Sequence, residues 1–155
     1  MIVYEPEYAA LIAKLDGLKT EARRLALRRA LRAAGSVLLT AVLERVPVQA
    51  GSKPRGNLAI GELKADIGMS VSIVGDNDIG VKHDRVTVGP GPNTRDVARW
   101  VEYGHPNRRG RKGAQTVHGA TNPHPFLRPA WDASKEQAAA AFEATLTDQI
   151  AKAMQ

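Results

Sequence analysis

Apolar positions along the first half of the chain recur at helical spacing. Tyr8, Leu11, Ile12 and Leu15 fall on one stripe and predict a short helix over 4–15, which Gly17 interrupts. A longer stripe through Leu18, Ala22, Leu25, Ala30, Ala34, Leu38, Ala41 and Val42 predicts a helix from Leu18 to Arg45. Gly35 and Ser36 weaken its middle, since Gly costs about 1 kcal/mol relative to Ala in a helix. Pro47 ends it, because the residue before a proline is excluded from the α region. Residues 47–62 hold Pro47, Gly51, Pro54, Gly56 and Gly61 and form a turn-rich connection. The period then shortens: Ile67, Met69, Val71 and Ile73 alternate within Leu63–Val74, a strand pattern, and Gly75-Asp-Asn-Asp supplies a turn. Ile79–Val88 is the next strand region, and Gly89-Pro-Gly-Pro-Asn-Thr breaks it.

A short amphipathic helix follows in Arg95–Gly104, with Val97, Trp100 and Val101 on its apolar face and Gly104 as its stop. The last segment, Phe126–Met154, is helical, with Phe126, Ala130, Ala133, Ala141, Leu146 and Ile150 among its apolar positions. Pro129 suits its first turn, where no N–H is needed. This order predicts an α+β fold: a long N-terminal helix and a C-terminal helix packed on a small antiparallel sheet, with a short helix and a long basic loop. A single domain over 1–155 is expected, with 1–17 as a helical extension and 48–62 and 104–123 as flexible loops.

Composition sharpens this picture in three ways. Only seven of the 155 residues are aromatic, so Ala, Val, Leu and Ile must build most of the core. Cysteine is absent, which removes disulfides, thiolate metal sites and a Cys nucleophile together. No apolar run approaches the roughly 18 residues that span a bilayer, and the N-terminus lacks the basic start of a signal peptide, so synthesis in a cytoplasm with no membrane step is expected. The net charge of +6 is unevenly spread. Residues 104–131 carry five Lys/Arg and no acid, four of the five within 108–112.

No catalytic set can be assembled. Gly51-Ser-Lys-Pro-Arg-Gly56 has the glycine spacing of a phosphate loop, but Asn57-Leu58 stand where Lys and a hydroxyl are required. Glu102 precedes His105 at one-turn spacing and could share an ion with it, with His83, His118 and His124 as further ligands. Gly104 ends the helix before His105, however, and loop histidines without a metal are the simpler reading. No nucleophile has an adjacent base, so no enzyme activity, cofactor or metal is expected. The remaining candidates are electrostatic. Arg23, Arg24, Arg28, Arg29 and Arg32 form a stripe on the long helix, and Arg108, Arg109, Arg111 and Lys112 crowd a glycine-rich loop; both could meet phosphates or an acidic protein surface. Trp100 and Trp131 read as core anchors rather than stacking platforms.

Trp100-Val-Glu-Tyr-Gly104, followed about twenty residues later by His124-Pro-Phe-Leu-Arg-Pro-Ala130, resembles the small tail-component proteins of long-tailed bacteriophages, also described as tail-completion or head-tail joining proteins. The long Ala/Leu helix, the turn at Pro47–Gly51, the strand ending in Val86-Thr-Val-Gly89 and the C-terminal helix come in the same order, so the resemblance covers roughly residues 10–152. The chain departs from the family's pattern at Pro47-Val-Gln-Ala-Gly-Ser, where Pro-x-x-Thr-Gly-x-Leu is usual, at Val97 in place of Tyr, and at Gly104-His105 in place of Gly-Thr.

The resemblance implies a non-enzymatic virion protein, made in the bacterial host cytoplasm. It would assemble with itself into a ring, hexameric in the virion, at the head-proximal end of the tail beside other neck and tail proteins, with DNA passing through the centre. Trp100, Glu102, Gly104, Pro125, Phe126, Leu127, Arg128 and Pro129 are its structural motif. Phe126, Leu127 and Trp131 are expected to pack the last helix on the sheet, and Arg128 to pair with Glu102. Arg108, Arg109, Arg111 and Lys112, then Arg23, Arg28 and Arg32, are expected to face DNA in the lumen or an acidic partner. With few strands, a sheet edge is left as a template for a neighbouring copy. The competing reading is a basic nucleic-acid-binding module without a virion role; a small hydrolase using Glu102 and a loop histidine is the third.

Overall fold

The computed structural model describes residues 6–48, 61–75, 82–105, 108–109, 117–118 and 122–155. Five helices and four strands run in the order α1 (Pro6–Asp16), α2 (Thr20–Arg45), α3 (Glu62–Asp66), β1 (Ile67–Gly75), β2 (Lys82–Pro90), α4 (Arg95–Tyr103), β3 (Arg108–Arg109), β4 (Val117–His118) and α5 (Leu127–Ala153) among these residues. β1 and β2 form one two-stranded antiparallel sheet and β3 and β4 another. This is the α+β arrangement expected of the sequence.

Contacts group the chain into two compact units, one of 1–37, 70–87 and 135–155, the other of 38–69 and 88–134. The first is a helical cluster. Ala26 and Ala30, one turn apart on α2, are 2% and 0% exposed and leave room for Leu146 and Ile150 of α5 and Leu15 of α1. Leu11, Leu18, Leu27 and Phe142 pack around them. Gly17 separates α1 from α2 as expected, and Arg23 clips the junction with an ion pair to Asp16 at 2.7 Å.

In the second unit Ala41 and Val42 of α2 and Val46 just beyond its end pack with Leu63, Ile67, Ala98, Phe126 and Ala130, flanked by Val88, Val101 and Leu127. The end of α2 and the start of α5 thus rest on the start of the β1–β2 sheet. Phe126 is fully buried. Covering a side chain of this size is worth about 2–3 kcal/mol.

Several expectations shift. The strand pattern from Leu63 begins only at Ile67, because Glu62–Asp66 wind into α3 and turn Leu63 inward. β2 continues through Gly89 to Pro90 instead of breaking at Gly89. α2 passes unbroken through Gly35 and Ser36, and its buried row is Ala26, Ala30, Ala34, Ala41 and Val42; Leu25, expected inside, is 50% exposed. Trp131, expected to pack α5 on the sheet, is 54% exposed, and Trp100 lies at the surface as well, so neither is a core anchor. The turn at 76–78 and nearly all of the 48–62 connection lie outside the described residues.

Candidate functional site

α4 is held at both ends by carboxylates. At its start the Asp66 side chain, at the end of α3, accepts hydrogen bonds from the Thr94 backbone N–H at 3.2 Å and from the Thr94 hydroxyl at 2.8 Å. The Gly91 N–H donates to the Asp66 carbonyl at 2.9 Å. A Cβ at Gly91 would lie 2.7 Å from the Asp66 Cγ, so only glycine allows this approach. Neither Asp66 nor Gly91 carries a signal in the sequence, being 25 residues apart.

The buried row of α4 starts at its cap residue Thr94 and continues through Ala98 and Glu102, each four residues after the last and at most 3% exposed. The apolar face expected at Val97, Trp100 and Val101 is therefore rotated: Val97 and Val101 are half-buried and Trp100 exposed. An acidic side chain can stand in this buried row because it has partners there. The Glu102 carboxylate accepts the backbone N–H groups of Phe126, Leu127 and Arg128 at 2.7, 3.0 and 3.2 Å.

Those three groups open α5, and the fourth, Pro129, has no N–H to satisfy. The first backbone bond of the helix, from the Ala130 N–H to the Phe126 carbonyl, spans 3.2 Å. Every donor that a helix start leaves open is thus either taken by Glu102 or missing. The usual Ser, Thr, Asp or Asn cap is replaced by Phe126, so the capping oxygen comes from 24 residues away. That mismatch, a helix start with an apolar cap residue and a third-position proline, is the sequence signal that could have located the clamp.

Burial by itself would push the Glu102 carboxyl up. The N–H groups of Leu127, Phe126 and Arg128 and the Arg128 charge outweigh it and hold the pKa below the ordinary 4.5. The expected Arg128–Glu102 pair exists, but at 3.8 Å and with the Arg128 side chain 69% exposed it is secondary to the backbone bonds. The Arg128 guanidinium lies over the Tyr103 ring, 5.5 Å from its centroid.

The same turn of α4 closes the base of the basic segment. Gly104 leaves the helix at φ 70° and ψ 174°, a conformation nearly confined to glycine. The His105 ring meets Trp100 edge-on at 5.5 Å, and the His124 N–H returns to the Val101 carbonyl at 2.7 Å. Between them β3 and β4 pair antiparallel, Arg108 opposite His118 and Arg109 opposite Val117. The segment expected as an open loop therefore contains a short backbone ladder. Arg111 and Lys112 lie outside the described residues, as do the side chains of Arg108, Arg109, His83 and His118. Among the described residues no three His, Cys, Asp or Glu side chains gather in a metal-binding group.

The α2 stripe is largely engaged within its own unit. Arg23 pairs with Asp16 at 2.7 Å, Arg24 with Glu21 at 3.8 Å and Arg28 with Asp84 at 3.3 Å, while Arg29 donates to Gln149. Arg32 is exposed on the same helix, its carbonyl accepting the Ser36 hydroxyl at 2.9 Å.

Residues 9–104, from α1 through the Trp100–Gly104 motif, match the family model described as "Bacteriophage HK97-gp10, putative tail-component". The chain belongs to this HK97-gp10-like family. The match ends where Glu102 reaches toward Phe126, so within the family region lie both carboxylate clamps of α4, and beyond it the helix that the second clamp caps. Comparison with curated proteins and with solved structures gives no match. Membership makes the chain a phage tail component by family, in agreement with the resemblance of its motifs.

Proposed function

We propose that the protein is a structural part of the virion, joining a phage tail to the head as a ring of identical subunits at the head-proximal end of the tail. The observation that carries this is the family match over residues 9–104. Two features support the finer placement. Among the described residues the β1–β2 sheet has two strands, each nine residues long and each paired along one edge, which leaves the other edge for a neighbouring copy to add to. In a closed ring such contacts are heterologous, one patch of a subunit meeting a different patch on the next.

The basic segment at 108–112, tied at its base by α4, is positioned by this reading toward packaged DNA or an acidic neck protein, with Arg108, Arg109, Arg111 and Lys112 as the contacts. The α2 arginines support a free nucleic-acid-binding module less well, since Arg23, Arg24, Arg28 and Arg29 already have partners in the fold. Disrupting the gene in the phage that carries it tests the proposal. Filled heads beside unattached tails of normal length are expected in the lysate. Intact infectious particles would overturn the reading, and heads without any tails would move the protein from joining to tail assembly.

A further inference from the structure

The surface over the α4–α5 clamp is unusual for a chain with so few aromatics. Tyr103 is 64% and Trp131 54% exposed, and both tryptophans lie at the surface. The Arg128 guanidinium lies over the Tyr103 ring, and Trp131 follows Arg128 one helical turn later on α5. Trp100 lies one turn before Tyr103 on α4. Trp, Tyr and Arg are the side chains that most often dominate protein interfaces, because they bury large rigid areas and leave a polar tip for pairing. Beneath this face Glu102 is buried and engaged chiefly by three backbone donors, with Arg128 as a more distant partner at 3.8 Å whose side chain stays 69% exposed. Arg99, also exposed on α4, adds positive charge.

The protein carries a complementary surface of its own. On α5, Glu136, Ala140 and Glu143 are exposed and recur at one-turn spacing, with Ala139 and Ala144 beside them. This row sets two carboxylates among small apolar side chains, with Lys135 exposed beside Glu136. The geometry points to a heterologous contact in which the Tyr103–Arg128–Trp131 face of one copy docks on the Glu136–Glu143 row of a second copy. Duplex DNA fits the aromatic face poorly, because its rings would meet a phosphate backbone rather than open base faces. The inference rests on the ring proposed above and names the surfaces that build it.

The experiment uses the purified full chain. Tyr103 is replaced by the photoreactive aromatic benzoylphenylalanine, and equal amounts of isotopically light and heavy protein are mixed, irradiated and mapped by mass spectrometry. Light–heavy crosslinks to the peptide holding Glu136–Glu143 are expected. Trp131→Ala, at an exposed site, should weaken self-association by ~tenfold or more with an unchanged circular dichroism spectrum. Glu136→Lys with Glu143→Lys should weaken it similarly, and Arg128→Glu mixed with that double variant should restore it. A protein that stays monomeric at every concentration, crosslinks confined to another segment, or crosslinks that appear only with DNA or another tail protein would each overturn the inference. Gene disruption reads the function separately, so the joining role can stand while this contact fails.

Discussion

Replacing Glu102 by glutamine tests the clamp with little change of shape. The wild-type carboxylate, 3% exposed, accepts three backbone N–H groups and faces Arg128 at 3.8 Å. An amide offers one oxygen to these donors and turns its NH2 toward another, so at least one buried donor loses its partner. Hydrogen bonds to a charged group contribute about 1.5–3 kcal/mol, and an orphaned buried donor costs about 1–3 kcal/mol. These overlap, so Glu102→Gln should destabilise the fold by roughly 2–4 kcal/mol. For a chain of this size that lowers Tm by roughly 5–15 °C.

The loss has a pH signature. The folded-state pKa lies below 4.5, so the carboxylate contributes its full stability above the unfolded value and loses it as pH falls through the folded one. The difference between wild type and Glu102→Gln should therefore be constant near neutrality and shrink once pH drops below about 4.5. Thermal unfolding followed by circular dichroism from neutral to acid pH measures it. A Tm within a degree of wild type, or a difference that does not shrink in acid, would refute the clamp.

Three further outcomes follow from the same geometry. Gly104→Ala places a side chain at φ 70° and ψ 174°, and should cost about 1–3 kcal/mol in denaturant unfolding. Gly91→Ala drives a Cβ to 2.7 Å from the Asp66 Cγ, displaces the carboxylate from Thr94, and should cost about 1–3 kcal/mol by the same measurement. Trp131→Ser, by contrast, should change stability by no more than about 0.5 kcal/mol, since the ring is already 54% exposed; a larger loss would return Trp131 to the core.

The helices were legible because their period is local. α1, α2 and α5 begin and end within about two residues of their expected bounds, Gly17 and Pro47 acting through backbone sterics alone. Where a short segment satisfied two patterns, tertiary packing decided: Leu63 fits an alternating strand, but its place in the core is reached from a helical turn. The inward face of α4 departs from its hydrophobic pattern for a related reason. Hydrophobicity favoured Trp100 as an inward residue, and the inward row instead ends in Glu102, whose burial depends on donors 24–26 residues away. Periodicity cannot see such a partner. The ordered motif of Trp100–Gly104 and His124–Ala130 was nevertheless visible, and the clamp explains why the two halves occur together: one supplies the carboxylate, the other a helix start that has no cap of its own.

The most direct measurement of the protein's place is electron microscopy of virions labelled with gold-conjugated antibody against it. Gold confined to the junction of head and tail is the predicted result. Label along the tail shaft, at the distal tip or on the capsid alone, or none on particles whose lysate contains the protein, would contradict a head-proximal tail ring.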